Sequence, residues 1–345
     1  MSERILEVNN MKVSFRTYAG VAHAVRGVDF HLDKGETLAI VGESGCGKTV
    51  TSKAIMGLLP PANSMVNREE GAEILFHGEN LLDYTEEQMV DVRGSKISMI
   101  FQDPMTSLNP TMKIGDQIME SILIHNKNMS KADAEKEALK MIELVKIPNA
   151  KQRMKQYPFE FSGGMRQRAM IAVALACKPE VLIADEPTTA LDVTIQAQIM
   201  DLIGELQKEL NMAVILVTHD LGVVASVADR IQVMYAGKIV ERGTVDEIFY
   251  KSTHPYTRAL LSSVPKVHTE NKEELYSLKG TPPDLINPPT GCSFAPRCEY
   301  GMRVCRQSYP GITTFSDSQE CSCWLHHPKA DTSGLPEDMI RRSVK

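Results

Sequence analysis

Four short apolar runs punctuate this chain: Thr37-Leu-Ala-Ile-Val41, Lys96-Ile-Ser-Met-Ile-Phe-Gln102, Val181-Leu-Ile-Ala-Asp185 and Ala213-Val-Ile-Leu-Val-Thr-His219. Apolar positions that run on without alternating mark strands covered on both faces, as in a parallel sheet between helices. Helical periodicity fills the intervals, for instance from Lys131 to Val145, and across residues 103 to 160 it interrupts the strand–helix alternation. The pattern predicts an α/β core with a helical subdomain at about 103–165. After about residue 250 the periodicity gives way to proline-rich, irregular sequence, as in Thr281-Pro-Pro-Asp284 and Asn287-Pro-Pro-Thr-Gly-Cys292. Residues 1–250 are therefore expected to form one domain and residues 251–345 an appended module, in line with about two domains for 345 residues.

Charge narrows the function classes. Lys and Arg total 38 against 44 Asp and Glu, a net charge of -6, so no basic excess announces nucleic acid as a partner. No apolar run reaches the roughly 18 residues of a membrane-spanning helix, and Met1-Ser-Glu-Arg-Ile-Leu6 lacks the pattern of a signal peptide. A cytoplasmic protein is expected, touching a membrane only through partners.

The first apolar run leads into Gly42-Glu43-Ser44-Gly45-Cys46-Gly47-Lys48-Thr49, followed by Val50, which fits the phosphate-loop pattern G-x-x-x-x-G-K-[ST] at a strand-to-helix junction. Glycines let successive backbone N–H groups converge on phosphate oxygens, Lys48 carries a charge to the β and γ phosphates, and the Thr49 hydroxyl suits Mg²⁺. A nucleoside triphosphate is the expected ligand. The third run ends in Asp185-Glu186, read as a Walker B strand: Asp185 would hold Mg²⁺ through water, and Glu186 would orient or deprotonate an attacking water. His219 at the end of the fourth run suits a γ-phosphate sensor, and Gln102 at the end of the second suits Mg²⁺ or the water.

Phe161-Ser162-Gly163-Gly164-Met165-Arg166 completes a recognisable series. Phosphate loop, Gln102, Ser-Gly-Gly, Asp185-Glu186, Thr189-Ala-Leu-Asp192 and His219 stand in the order and spacing of ATP-binding-cassette ATPases, which the chain resembles over about residues 5 to 250. The resemblance implies a RecA-like core with antiparallel β and helical subdomains. It also implies a head-to-tail dimer of cassettes, in which Ser162, Gly163 and Gly164 of one subunit close over ATP held by the other. Met165 replaces the glutamine common at the end of that motif. Tyr18 lies where the family places an aromatic that stacks on adenine, although it equally suits a surface or strand-packing role. The turn-rich Asp103-Pro-Met-Thr-Ser-Leu-Asn-Pro110 is expected to contact a membrane subunit.

Five of seven cysteines crowd between Cys292 and Cys323. Their spacing, Cys292-x5-Cys298-x6-Cys305-x17-Cys323, lacks the close Cys-x2-Cys pairs of structural zinc and suits a [4Fe-4S] cluster, with zinc and unligated thiols as alternatives. His254-Pro-Tyr-Thr-Arg258, Gly280-Thr-Pro-Pro-Asp284, Gly291-Cys292 and Cys323-Trp324 resemble the C-terminal region of the ATPases of oligopeptide and dipeptide importers, and residues 99–110 look most like their D-type subunit. In that family Cys292, Cys298, Cys305 and Cys323 match the cluster ligands; Cys321 is extra and could replace Cys323. The resemblance implies an ATPase that powers peptide import from the cytoplasmic face of the cell membrane. Its implied partners are an F-type ATPase or a second copy of itself, two transmembrane permease subunits and, indirectly, an extracytoplasmic peptide-binding protein. A similar importer of nickel or glycosides, and a soluble cassette ATPase without a transport role, are the alternatives.

Overall fold

The computed structural model describes residues 3–189, 191–263, 278–333, 335–336 and 339, and divides into two compact units. The first comprises residues 1–6, 32–37 and 76–217, the second residues 7–31, 38–75 and 218–345.

In the first unit the strands Ile97–Ile100, Val181–Asp185 and Ala213–Thr218 run parallel, with Ile97 beside Val181 and Val181 beside Ala213. Every residue of the three is buried, which accounts for their unbroken apolarity. Among the described residues four helices of three turns or more accompany them, and three begin at a side-chain cap that the sequence supplies. Ser130 accepts from the Asp133 N–H to open Lys131–Leu144, Ser162 accepts from the Met165 N–H to open Gly163–Leu175, and Asp192 accepts from the Ile195 N–H to open Val193–Leu210. Lys113 begins Ile114–His125 without such a bond. Val193–Leu210 ends at Asn211, whose φ of 50° terminates it in the left-handed conformation. Gly163–Leu175 buries Gln167, Ala169, Met170, Ile171, Ala172, Ala174 and Leu175, and the three alanines among them let neighbouring elements approach closely.

The second unit contains most of the long strands Arg4–Thr17 and Gly20–Asp33, joined by a turn at Tyr18, with Ser64–Val66 paired antiparallel to the first of them. It also holds a sheet in which Arg230–Tyr235 lies parallel to Thr37–Val41 and antiparallel to Lys238–Thr244. The chain beyond residue 250 adds to this sheet. Glu320–Cys321 pairs with Lys238–Thr244, placing Cys321 beside Glu241, and Thr313–Thr314 pairs with Glu320–Cys321. The proline-rich tail is thus joined to the apolar core by backbone ladders as well as by side chains.

Candidate functional site

Thr37–Val41 ends in the phosphate loop, and two contacts explain why glycine stands at two of its positions. A Cβ on Gly42, at φ 157°, would lie 2.2 Å from the Met234 carbonyl oxygen, and one on Gly47, at φ 108°, would lie 2.5 Å from that of Ala24. Gly47 in turn begins the helix Lys48–Ile55. The Lys48 ammonium is 4% exposed and donates to the carbonyls of Gly42 at 2.8 Å and Glu43 at 3.1 Å, so the loop curls around its own cation. Cys46 is buried beneath the loop, and that burial raises its thiol pKa. Ser44 and Gly45 are exposed, Thr49 and Val50 partly so. Tyr18 is fully exposed at its turn, and His219 is exposed immediately after Thr218.

Two contacts on the loop lie outside the sequence reading. Arg297 donates to both oxygens of Glu43, at 2.5 and 2.8 Å, and to the Tyr235 hydroxyl at 3.2 Å; the bond to Glu43 raises the guanidinium pKa above its ordinary value. The Tyr256 hydroxyl accepts from the Glu43 N–H at 2.8 Å. Both partners belong to the chain after residue 250. Arg297 lies 254 residues from Glu43, and its only local signal was its place directly before Cys298.

The first unit brings Gln102, Asp185 and Glu186 together. Asp185 is 2% exposed at the end of its strand. Glu186 follows at φ 47°, a conformation that costs a non-glycine residue about 1 kcal/mol and concentrates at functional positions. Its N–H donates to the Val217 carbonyl at 2.8 Å, and its Oε2 accepts from Gln102 Nε2 at 2.8 Å and from Thr189 Oγ1 at 2.9 Å. Backbone and side chain are thus fixed separately. Gln102 here acts on Glu186. Ser162 and Gly163 are exposed at the start of the 13-residue helix Gly163–Leu175, and the Ser162 hydroxyl accepts from the Met165 N–H. A Cβ on Gly164 would come within 3.1 Å of Ile195 Cγ2.

The cysteines of the tail lie close together. Burial raises the pKa of the Cys292, Cys298 and Cys323 thiols, that of Cys298 to about 11, and neighbouring thiols add to each effect; Cys323 feels Cys292, Cys298 and Cys305 together. The Cys292 N–H donates to the Cys305 carbonyl at 2.7 Å, and a Cβ on Gly291 would lie 2.3 Å from that oxygen, so glycine permits the approach. Cys321 is 1% exposed on its strand, where Glu241 is its strongest charged neighbour. Among the described residues no three His, Cys, Asp or Glu side chains are arranged to hold a single metal ion.

Comparison with known proteins agrees with this division of labour. The sequence profile of the ABC transporter family matches residues 25–189, and that of the oligopeptide/dipeptide transporter C-terminal region matches residues 240–305. The dipeptide transport ATP-binding protein DppD of Bacillus subtilis is 57% identical over 336 residues, 97% of this chain and 99% of that protein. The oligopeptide transport ATP-binding protein OppD of Salmonella typhimurium is 50% identical over 320 residues, 93% of each. Among solved structures, MJ0796, a dimeric bacterial ABC transporter cassette, superposes with a TM-score of 0.61 at 26% identity, covering 70% of this chain and 98% of that one. CbiO1 of Clostridium perfringens, part of the ABC transporter complex cbiONQ, gives the same TM-score at 28% identity, covering 72% of this chain and 91% of that one. The chain belongs to the ATP-binding proteins of ABC transporters, in the group that carries the oligopeptide/dipeptide transporter C-terminal region.

Proposed function

We propose that this protein hydrolyses ATP to power the import of dipeptides or oligopeptides, acting as a peripheral subunit at the cytoplasmic face of the membrane. The observation that carries the reading is Glu186, directly after Asp185, whose backbone stands at φ 47° and whose carboxylate is held by Gln102 and Thr189. Residues 1–250 form the nucleotide domain, with its helical part at about 103–165, and residues 251–345 form the module specific to peptide transport. No helix among the described residues is long and apolar enough to cross a membrane. Transport therefore falls to two permease subunits, supplied with peptide by an extracytoplasmic binding protein. The exposed Met105 and Phe159 in and beside the helical part suit contact with a permease.

Lys48 releases its grip on the loop carbonyls to meet the β and γ phosphates, the loop N–H groups hold the anion, and Tyr18 stacks on adenine. Thr49, Asp185 and Gln102 would supply the hard oxygen donors that Mg²⁺ prefers, Asp185 through water, and the cation would neutralise phosphate charge. Glu186 orients the attacking water and takes its proton, and His219 senses the γ phosphate. Ser162, Gly163 and Gly164 act in trans, capping the ATP of a partner cassette, either an F-type ATPase or a second copy. Closure on ATP and reopening after hydrolysis drive alternating access in the permeases.

For the tail we propose a [4Fe-4S] cluster held by Cys292, Cys298, Cys305 and Cys323. Support comes from the Cys323 thiol, which feels the charge of Cys292, Cys298 and Cys305, and from the Cys292 N–H bond to the Cys305 carbonyl, while Cys321 pairs in the strand beside Glu241. A zinc ion would draw its sulfurs to about 2.3 Å of one point; a cluster needs only one thiolate at each iron. Iron and sulfide analysis after anaerobic purification tests this, and stoichiometric zinc, or no metal, would overturn it. The catalytic reading is tested by Glu186→Gln. Mg-ATP binding should persist while turnover falls by about a hundredfold or more, and hydrolysis at the normal rate would show that Glu186 is not the base.

A further inference from the structure

We propose that Arg297 and Tyr256, both in the C-terminal module, are positioning residues for the ATPase: they hold the phosphate loop in its nucleotide-binding shape through Glu43. The inference rests on the reading that this loop binds ATP, and it adds residues that lie outside the phosphate-loop motif.

A phosphate loop works by aiming backbone N–H groups, and its glycines make that shape easy to lose. Here the shoulder of the loop is gripped from both sides of one residue. The Glu43 N–H is taken by the Tyr256 hydroxyl at 2.8 Å, and the Glu43 carboxylate by both terminal nitrogens of Arg297. The planar fork of an arginine fixes direction as well as distance, which a lysine would not.

Arg297 is itself held firmly. Its side chain is 4% exposed, its Nε donates to the Lys279 carbonyl at 3.0 Å, and its guanidinium lies near the rings of Tyr235 and Phe294. Tyr235, Tyr256 and Phe294 pack with ring centroids 4.6 to 5.3 Å apart, so the two grips share one aromatic base. Beside them Pro282, Pro283 and Leu285 line a small cavity with Glu43, Ser44, Gly45 and Cys46, and the Leu285 carbonyl accepts from the His23 N–H at 2.8 Å. The module therefore touches the loop along its outer curve and leaves Lys48 to the inner one. Arg297 also directly precedes Cys298, so whatever orders the cysteine loops also orders this grip.

The test is a double-mutant cycle on the full chain, read as the Kd for Mg-ATP together with KM and kcat. Arg297→Met and Glu43→Gln should each weaken Mg-ATP binding by about tenfold, and the double variant should be no weaker than the worse single. Arg297→Lys should recover only part of the loss, and in the two Arg297 variants the effect should fall on Kd and KM rather than on kcat at saturating ATP, because Arg297 shapes the site without touching the reacting atoms. Wild-type affinity in folded Arg297→Met, or losses that simply add, would overturn the proposal. If Arg297→Met does not fold, Tyr256→Phe decides: it removes one oxygen, and unchanged affinity would refute the grip. Lys48→Ala separates the two readings. Failure of the wild type to bind Mg-ATP refutes the loop assignment itself; binding that Lys48→Ala abolishes but Arg297→Met and Tyr256→Phe leave intact refutes only the positioning role.

Discussion

The ring of His254 is buried with a single hydrogen bond: its Nδ1 accepts from the Tyr256 N–H at 3.0 Å, and its Nε2 finds no partner among the described residues. The ring is therefore neutral, with its proton on Nε2. Burial, reinforced by nearby His326, lowers its pKa from 6.5 to about 3. A histidine depressed in the folded state favours folding at neutral pH, because the unfolded chain takes up its proton first. That stability is complete above pH 6.5 and is lost progressively down to about pH 3. Between pH 7 and pH 5 the loss due to this one group should be about 2 kcal/mol. Denaturant unfolding at the two pH values, for wild type and His254→Gln, isolates it. An equal pH response in both proteins would mean that His254 is not the group responsible. Glu241 lies close by in the same core. It is 1% exposed and accepts from the Thr253 N–H, the Thr253 hydroxyl, the His254 N–H and Gln319. Burial raises its pKa, and these donors work against that shift.

At the scale of elements, the glycines of the phosphate loop differ in what surrounds them, and substitutions should grade accordingly. Gly45, at φ 78°, has nothing within 4 Å of an added Cβ, so Gly45→Ala meets only backbone strain of about 1 kcal/mol. Gly42→Ala drives a carbon into the Met234 carbonyl and must displace either the loop or the strand Arg230–Tyr235. We expect the Gly42 variant to lose at least about 2 kcal/mol more than the Gly45 variant and to lose Mg-ATP binding; similar unfolding midpoints would contradict this. Such local features were legible in the sequence. The four apolar runs became the strands Thr37–Val41, Ile97–Ile100, Val181–Asp185 and Ala213–Thr218, and Ser162 caps its helix where the Ser-Gly-Gly motif stands. Each is written in residues adjacent along the chain. The grip of Arg297 on Glu43 was not legible, because no periodicity or spacing connects residues that far apart. Gln102 lay between: its place at a strand end marked it as functional, but only the fold pairs its amide with Glu186.

At the scale of the molecule, neither compact unit is a continuous stretch of chain, and the second combines the phosphate loop with the C-terminal module. The module is therefore built into the same unit as the loop. Its ladder on Lys238–Thr244 has a further consequence. Until Glu320–Cys321 pairs there, that strand presents unpaired backbone groups with Val240 and Glu241 among them, the kind of edge on which another chain can add. A chain ending at residue 250 should accordingly form large, open-ended assemblies as its concentration rises, whereas the full chain should go no further than a dimer. Light scattering of the two at matched concentrations checks this, and a monodisperse truncated chain would contradict it. On the ribosome the order of events matters equally. Every residue of the phosphate loop and of both acidic and signature motifs is made long before Thr313–Thr314 and Glu320–Cys321 emerge. The nascent protein holds all of these motifs while this sheet edge is still open, so the arrival of Thr313–Thr314 and Glu320–Cys321, rather than the appearance of the motifs, is what protects the edge.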